Sequence, residues 1–539
     1  MDAPTKSFWR NISGRPIRAF ALLILIALLG FFVAGFIDAH REVHENLTLT
    51  RIMVLCLAIF ALALVGMILS IIPRTRPAMN WVLRRWLFCV AAIVTLVALF
   101  YAEENWRGQR AFERSKRELE AKGVVLDWDK FIPPAVPDDQ NVFKAPKMQE
   151  WFVKTDREAN SDHLVSLTKS NELIGLLQSP PNFPVWGETK TINTEAEAQA
   201  YLAWSDGLQP QFNLMREALK RPYSRMDGDY SNMLVMPFPN VVAIRETARV
   251  LAQRIHCELL LHEPDKALED ATLIHNLGHF LDASPTGKPI TLIAAMVHVA
   301  DVGLYAEVIG KGLQTHAWQE PQLVQLQKQL SDIHALIPIV GAFASEPAAS
   351  GRALEMVPMK DIANAFGKEA PLYRIAPRGW IYQNLAAEAP FFYAPVEALD
   401  VEREIVSPRV CNEYRGHLDE FVSHKSPYTR FAAMVIPNLY KAVQTTARNQ
   451  NLADMALIAC ALERYRLANG SYPDSLEVLG PKFIAQLPHD IINGGRLQYH
   501  RDGETFVLYS IGWNEKDDGG TVDTDKPDRG DWVWPYSPK

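Results

Sequence analysis

The sequence predicts a mainly α-helical protein with three transmembrane helices, a large helical soluble body and a small α+β module at the C-terminal end. Two observations carry this prediction. Three apolar runs without Asp, Glu, Lys or Arg lie in the first 102 residues, and no comparable run follows. Beyond them, apolar residues recur at helical spacing up to residue 468, and short alternating segments separated by Gly and Pro follow.

The N-terminal segment 1–102 is predicted to be a membrane anchor. Its apolar runs are Ala19–Ile37, Ile52–Ile72 and Trp86–Ala102. A helix crosses the hydrocarbon layer with about 17–25 residues, and all three runs fit this range. We therefore expect residues 19–102 to contact membrane lipid. A cleaved signal peptide is the alternative for the first run, but two further spans follow it directly. A re-entrant third run would place the body in the cytoplasm.

Basic residues predict the orientation of the anchor, because short loops rich in Lys and Arg stay cytoplasmic. Such residues precede the first run and separate the second from the third, whereas the intervening loop has two, offset by acidic residues. The N-terminus is therefore predicted inside and the body outside the cytoplasm. The basic residues that favour this orientation are Lys6, Arg10, Arg15, Arg18, Arg74, Arg76, Arg84 and Arg85.

Composition argues against two classes of function. The net charge is −7 with 22% charged residues, and no large basic stripe indicates a nucleic-acid partner. The body contains only Cys257, Cys411 and Cys460, without CxxC spacing. This set indicates neither a disulfide framework nor a cysteine zinc site.

Segment 103–237 is predicted to contain a charged helix, Glu103–Lys122, and a proline-rich connector, Leu126–Asn141. Trp128 and other apolar residues of the connector predict that it docks on the body. Segment 238–427 is predicted to be a helical bundle or short solenoid, with broken helices or a wrapping loop in Ala342–Val401. Its regular helices are predicted at Val241–Leu261, Asp265–Leu281, Pro289–Ile309 and Glu320–His334.

Segment 428–539 is predicted to be the α+β module. A helix over Tyr428–Ala468 ends at Asn469-Gly470, since Gly tolerates the left-handed conformation that closes helices. Arg496–His500 and Thr505–Ser510 alternate like the strands of a hairpin. One face of this hairpin, predicted to lie against the helix, consists of Leu497, Tyr499, Phe506 and Leu508.

Four motifs of this segment resemble the type II secretion major pseudopilin. Ala432–Ala442 resembles the region around the helix-kinking proline of pilins, and Ala461–Pro473 resembles the helix end with its NG-x-YP turn. Leu487–Asp490 is similar to the LP-x-D segment, and Leu508–Gly520 to the terminal turn and acidic loop. The polar residues 420–430 differ from the apolar first half-helix of a pilin subunit. Elsewhere, Pro133–Asn141 and Arg221–Ser224 resemble bacterial membrane-anchored envelope proteins of no known activity.

The resemblance implies a bacterial inner (cytoplasmic) membrane location and a structural calcium site in the acidic loop. Calcium takes six to eight oxygen ligands from carboxylates and carbonyls. The best matches are Asp517, Asp518 and Asp523, with oxygen from Ser510 or Asn514. The alternative is a solvated acidic tail. The remaining acidic residues of the loop region are Glu515, Asp525, Asp528 and Asp531.

His275 and His279 are the candidates for an enzyme. Four residues apart on a predicted helix, they could face one metal ion, completed by Asp282 or Glu258. The His-Glu-x-x-His pattern is absent, and both positions border an apolar face, which favours histidines that pack between helices. The leading interpretation is therefore a non-enzymatic envelope protein that binds or assembles with another envelope protein. The alternative is a membrane-bound metal-dependent hydrolase.

Overall fold

The computed structural model describes residues 75–154, 171–178, 192–232, 236–282, 291–356, 373–424, 426–523 and 529–535, with 64, 65, 68, 69 and 72. The chain divides into two compact units, Met1–Glu104 and Asn105–Lys539. The runs Ala19–Ile37 and Ile52–Ile72 lie outside the described residues, apart from a few positions of the second.

Helix α1 (Arg76–Ala121) contains the third apolar run and the predicted charged helix in one continuous element. Apolar side chains of the run are well exposed, including Phe88 at 75% and Leu96 at 65%. Its most apolar window is only 6% buried within the protein, and its length and hydropathy suffice to cross a bilayer. Such exposure is what a lipid-facing helix shows. The helix of the third run is therefore confirmed.

The described part of the second unit is mainly helical. Its helices after α1 are α2 (Met148–Phe152), α3 (Glu172–Leu177), α4 (Glu195–Ser205), α5 (Gln209–Ala218), α6 (Val241–Leu260), α7 (Pro264–Leu277), α8 (Leu292–Gln314), α9 (Glu320–Ser331), α10 (Leu336–Met356), α11 (Gly379–Glu397), α12 (Pro408–Ser423), α13 (Arg430–Val435) and α14 (Pro437–Asn469).

Strands in the described residues form three small antiparallel sheets. Two are pairs of two-residue strands, β1 with β2 and β3 with β4, whereas the third has the order β5-β6-β7. In chain order, the strands are β1 (Val153–Lys154), β2 (Phe238–Pro239), β3 (Leu399–Asp400), β4 (Ile405–Val406), β5 (Gln498–Asp502), β6 (Thr505–Ser510) and β7 (Trp532–Val533).

The core of the second unit is built around α8 and α14, which pack against each other. Helix α8 also meets the length and hydropathy criteria for a membrane span, but 56% of its apolar window is buried within the protein. It is therefore a core helix. Helices α6, α7, α8 and α9 confirm the four predicted helices of the bundle, with shifts of a few residues at their ends. Helix α14 also packs along α9, so the predicted bundle and C-terminal module share one core.

The Pro-rich region predicted to contain broken helices forms two helices with internal prolines. Helix α10 includes Pro347, and α11 includes Pro390 and Pro395. Proline lacks the N–H that would bond to the carbonyl four residues earlier. For Pro390 that carbonyl belongs to Ala386, and the Ser115 hydroxyl of α1 donates to it at 3.3 Å. A neighbouring helix thus satisfies a carbonyl that the proline leaves unbonded.

The predicted docking of the connector is confirmed at Trp128. This side chain is 3% exposed, and its indole N–H donates to the carbonyl of Tyr230 at 2.8 Å. Short 3-10 turns at Trp128–Phe131 and Asp138–Gln140 interrupt the otherwise extended segment. The connector is therefore part of the folded body.

Candidate functional site

The C-terminal end of α14 is closed by Gly470, as predicted. Gly470 adopts φ 83°, and its N–H donates to the carbonyl of Arg466 at 2.7 Å. Behind this turn, the carboxylate of Glu463 is 2% exposed and accepts bonds from the Tyr472 hydroxyl at 2.7 Å and from Arg466 at 2.6 Å. His316 lies 2.8 Å from the same carboxylate. Burial would raise the pKa of Glu463, but these partners outweigh it and lower that pKa.

The predicted hairpin is confirmed, and it packs on α14 through the predicted face. Asp502 pairs with Thr505, so Gly503 and Glu504 form the turn. Phe506 lies at a ring distance of 5.0 Å from Tyr472. The face belongs to the same apolar core as the middle of α14, and its residues are Leu497, Tyr499, Phe506 and Leu508.

Two buried aspartates hold the ends of the acidic loop. Asp490, which is fully buried, accepts from the Ser510 hydroxyl at 2.9 Å and the Ile511 N–H at 3.0 Å. Asp531 is 2% exposed and accepts from the N–H groups of Asp518 at 3.1 Å and Gly520 at 2.7 Å. Strand β7 begins at the next residue and pairs with β6. Asp531 is therefore a structural anchor rather than a solvated charge.

The three predicted calcium ligands lie near one another in sequence on this loop, but the structure gives them different surroundings. Asp517 Oδ1 accepts from the Tyr509 hydroxyl at 3.1 Å, and Asp518 Oδ2 accepts from the Asn514 amide at 2.7 Å. The Asp523 backbone lies against Gly530, where an added Cβ would come within 2.6 Å of the Asp523 N. Asp525 and Asp528 lie outside the described residues.

Among the residues that the structure describes, no group of three His, Cys, Asp or Glu side chains is arranged to hold a metal ion. Within the loop, each carboxylate of Asp517 and Asp518 uses one oxygen in the bonds given above. Asn514 lies beside them and could add its amide oxygen. Ser510, by contrast, is turned inward and bonded to Asp490, so the expectation that it supplies a ligand oxygen is wrong.

A cleft of about 530 Å³ contains both predicted histidines, but they have different partners. His275 lies on α7 with its ring 5.3 Å from that of Tyr305, and burial lowers the pKa of His275. His279 lies in the following 3-10 turn, with Nε2 3.1 Å from the Arg221 carbonyl and Nδ1 3.6 Å from Asp282. The two rings therefore have different neighbours, although both line the same cleft.

Of the two carboxylates considered as partners of these histidines, Asp282 lies in the cleft and Glu258 does not. Glu258 accepts from the buried Arg254 at 3.1 Å, and Arg254 also donates to Asp270 at 2.7 Å. Burial, and then the nearby Asp270, raise the pKa of Glu258 to about 8. The expectation that Glu258 could complete a site with His275 is therefore wrong, because Glu258 belongs to an internal ion-pair network between α6 and α7.

The same cleft contains two further polar side chains, His298 and Asp301, of which sequence reasoning missed Asp301. His298 and Asp301 lie three residues apart on α8, which places them on one face. Among the described residues, His298 Nδ1 and Asp301 Oδ2 are buried without a hydrogen-bond partner. Burial raises the pKa of Asp301 to about 7, although Arg245 acts to lower it. Helix α8 is so apolar that its sequence gave no signal of a polar face.

Comparison with protein-family models, with curated proteins and with solved structures finds no match to this chain.

Proposed function

We propose that this protein is a non-enzymatic, membrane-anchored envelope protein whose C-terminal pseudopilin-like module binds or assembles with another envelope protein. The lipid-facing character of α1 supports the anchor. We further propose that the body lies outside the cytoplasm of a bacterial cell. The module supports the resemblance by its order of elements. A long helix with a glycine cap is followed by an antiparallel sheet that packs on its C-terminal half.

The observation that carries this proposal is the loop anchored by Asp490 and Asp531. Both anchors are buried, and between them the loop carries the exposed side chains of Asp517 and Asp518. Clustered carboxylates repel one another unless a cation lies between them, and calcium binds such oxygen-rich loops. We propose that calcium orders this loop through Asp517, Asp518 and Asp523, and that the ordered loop forms part of the partner-binding surface.

Calcium titration of the full-length protein in detergent tests the proposal. We expect one ion to bind per chain, as measured by calorimetry. For a site with a dissociation constant of about 10 μM, about 1 mM calcium stabilises the protein by roughly 2.7 kcal/mol. Calcium should also slow tryptic cleavage after Lys516, which lies within the loop. Both effects should disappear in Asp517→Ala.

A matched control is Asp502→Ala, which removes an exposed aspartate from the hairpin turn of the same module. This variant should bind calcium like the wild type. If the wild-type protein binds no calcium and its cleavage after Lys516 is unchanged by chelator, the loop is a solvated acidic segment and the calcium proposal fails.

The alternative function, a metal-dependent hydrolase using His275 and His279, makes a different prediction. It requires zinc or iron in stoichiometric amount in the purified protein, lost in His275→Ala. His275 contacts Tyr305, whereas His279 lies against the Arg221 carbonyl and Asp282, and no group of three His, Cys, Asp or Glu side chains among the described residues is arranged to hold a metal ion. The binding function is therefore the one that the geometry supports better.

A further inference from the structure

A second cleft, separate from the histidine cleft and the acidic loop, lies between α1, α10, α11 and the 3-10 turn that contains Trp128. Its volume is about 680 Å³. Small-molecule sites in proteins typically have about 300–1,000 Å³ and are lined by apolar side chains with a few polar groups. The apolar lining includes Phe112, Leu119, Trp128, Leu385 and Phe392.

Glu388 of α11 lines this cleft and has an unusual environment. Glu388 is only 2% exposed, and its Oε2 has no hydrogen-bond partner among the described residues. A buried carboxylate without a partner is costly, and proteins normally pair such a group. The lack of a hydrogen-bond partner for Glu388 Oε2 therefore needs an explanation.

A second buried carboxyl group lies nearby and favours the protonated form of Glu388. Glu346 of α10 is close enough to Glu388 to raise the pKa of Glu388, which burial and this neighbour together bring to about 8. No cation contributes to that shift. Glu346 itself has a structural partner, because its Oε1 accepts from the N–H of Leu292, the first residue of α8, at 2.7 Å. Of the two carboxyl groups, Glu388 is the one aimed into the cleft without a partner.

Three basic residues line the cleft, Lys116, Lys130 and Arg352, and none of them is paired with Glu388. Lys116 lies 4.0 Å from Glu120, one helical turn away, and Arg352 donates to the carbonyl of Ser231 at 3.4 Å. Glu388 therefore takes no cationic partner from the described basic side chains of the cleft.

We propose that this cleft binds an organic ammonium ion with an apolar substituent. The bound ammonium ion stabilises the ionised form of Glu388 and donates to its carboxylate, and the substituent lies along Phe112, Leu119 and Phe392. Two neighbouring carboxyl groups disfavour an anion at this position. The apolar lining accounts for the non-polar part of the ligand, which a bare metal ion would not use.

Three probes of similar shape and different charge test the proposal on the full-length protein in detergent. Benzylamine, a cation at neutral pH, should bind saturably in calorimetry or ligand-detected NMR. Benzyl alcohol and benzoate should not. Glu388→Gln keeps the shape of the side chain and removes its charge, so it should weaken benzylamine binding by about tenfold or more.

The matched control is Glu120→Gln, which makes the same chemical change at a half-exposed position lining the same cleft. It should change the affinity for benzylamine by less than about twofold, as expected for a screened surface charge. Glu388→Gln removes an unpaired buried carboxyl group, so the melting temperature of this variant should equal or exceed that of the wild type. Such a result shows that any loss of benzylamine binding is not caused by unfolding.

Three results would overturn the proposal. They are no saturable binding of benzylamine to the wild type, equal binding of benzyl alcohol, and unchanged benzylamine binding in Glu388→Gln. The second of these would identify the cleft as a site for neutral molecules. None of these results depends on calcium or on the acidic loop, so the test is independent of the function proposed above.

Discussion

At the scale of single residues, the described body contains several carboxyl groups whose pKa is shifted from its ordinary value. The direction of the shift depends on whether the buried group has hydrogen-bond or ion-pair partners. Glu463 is held by Arg466, Tyr472 and His316, and its pKa is lowered. Asp301 has a buried oxygen without a partner, and its pKa is raised to about 7. The first arrangement stabilises the charged form, whereas the second stabilises the protonated form.

Asp301 therefore predicts a dependence of stability on pH. An unfolded chain releases the proton of an aspartate near pH 4, but the folded protein keeps it up to about pH 7. The free energy of unfolding should fall as the pH rises between these values and then level off. The Asp301→Asn variant lacks this titratable carboxyl group. We expect it to exceed the wild type in stability by on the order of 2 kcal/mol at pH 8, with little difference near pH 4.

The measurement is the melting temperature of both proteins between pH 4 and pH 8, with Asp502→Asn as an exposed control. Parallel curves for Asp301→Asn and the wild type would show that folding does not raise the pKa of Asp301. The other histidines and aspartates that line this cleft are unchanged in the comparison, and they are His275, His279, Asp282, His298, Asp332 and His334.

At the scale of elements, two glycines show how tightly α1 packs on the body. A Cβ added at Gly108 would lie 2.1 Å from the carbonyl oxygen of Gly379, the first residue of α11. The Asn105 side chain accepts from the N–H of Gly379 at 2.8 Å. The charged half of α1 therefore contacts the start of α11 backbone to backbone, and a side chain larger than hydrogen cannot fit there.

Gly108→Ala should destabilise the protein by about 1–3 kcal/mol, because the two helices must separate to admit a methyl group. The matched control is Gly416→Ala in α12, where an added Cβ meets no atom within 4 Å. That substitution should stabilise the protein by about 0.5–1 kcal/mol through helix propensity. Melting temperatures measure both changes. Equal effects of the two substitutions would contradict the close contact at Gly108.

The elements also show which parts of the fold the sequence can predict. Helices α6 to α9 follow from apolar spacing and from the turns between them. Strand β7 does not, since it has only two residues and pairs with β6 across a loop whose end is held by Asp531. Pro390 suggested a break in a helix, but the compensating hydroxyl of Ser115 comes from 271 positions away. Such long-range contacts are invisible in a local pattern.

The candidate sites likewise differ in whether they depend on neighbouring residues in the sequence or on contacts between distant segments. The acidic loop could be located because its carboxylates are neighbours in the sequence. The clefts at Asp301 and Glu388 could not, because each depends on helices that meet only in the folded chain. His275 and His279 line one cleft, but spacing alone could not show that their rings have different neighbours.

At the scale of the whole molecule, the orientation of the body can be tested with cysteine labelling. The described cysteines of the body, Cys257, Cys411 and Cys460, are buried, so they should react slowly. Glu504→Cys places a thiol on the exposed turn of the hairpin. A membrane-impermeant maleimide should label it in spheroplasts if the body lies outside the cytoplasm. Lys6→Cys, predicted inside, should be labelled only after lysis. The reverse pattern would place the body in the cytoplasm.

Helix α14 packs both on the hairpin of the C-terminal module and on helices of the rest of the body. Its apolar face is already covered by α8 and α9 of its own chain. A second helical protein therefore cannot bury the same face of α14 unless α8 or α9 is displaced. The surface that remains open to a partner is the exposed part of the module, which includes the side chains of Asp517 and Asp518.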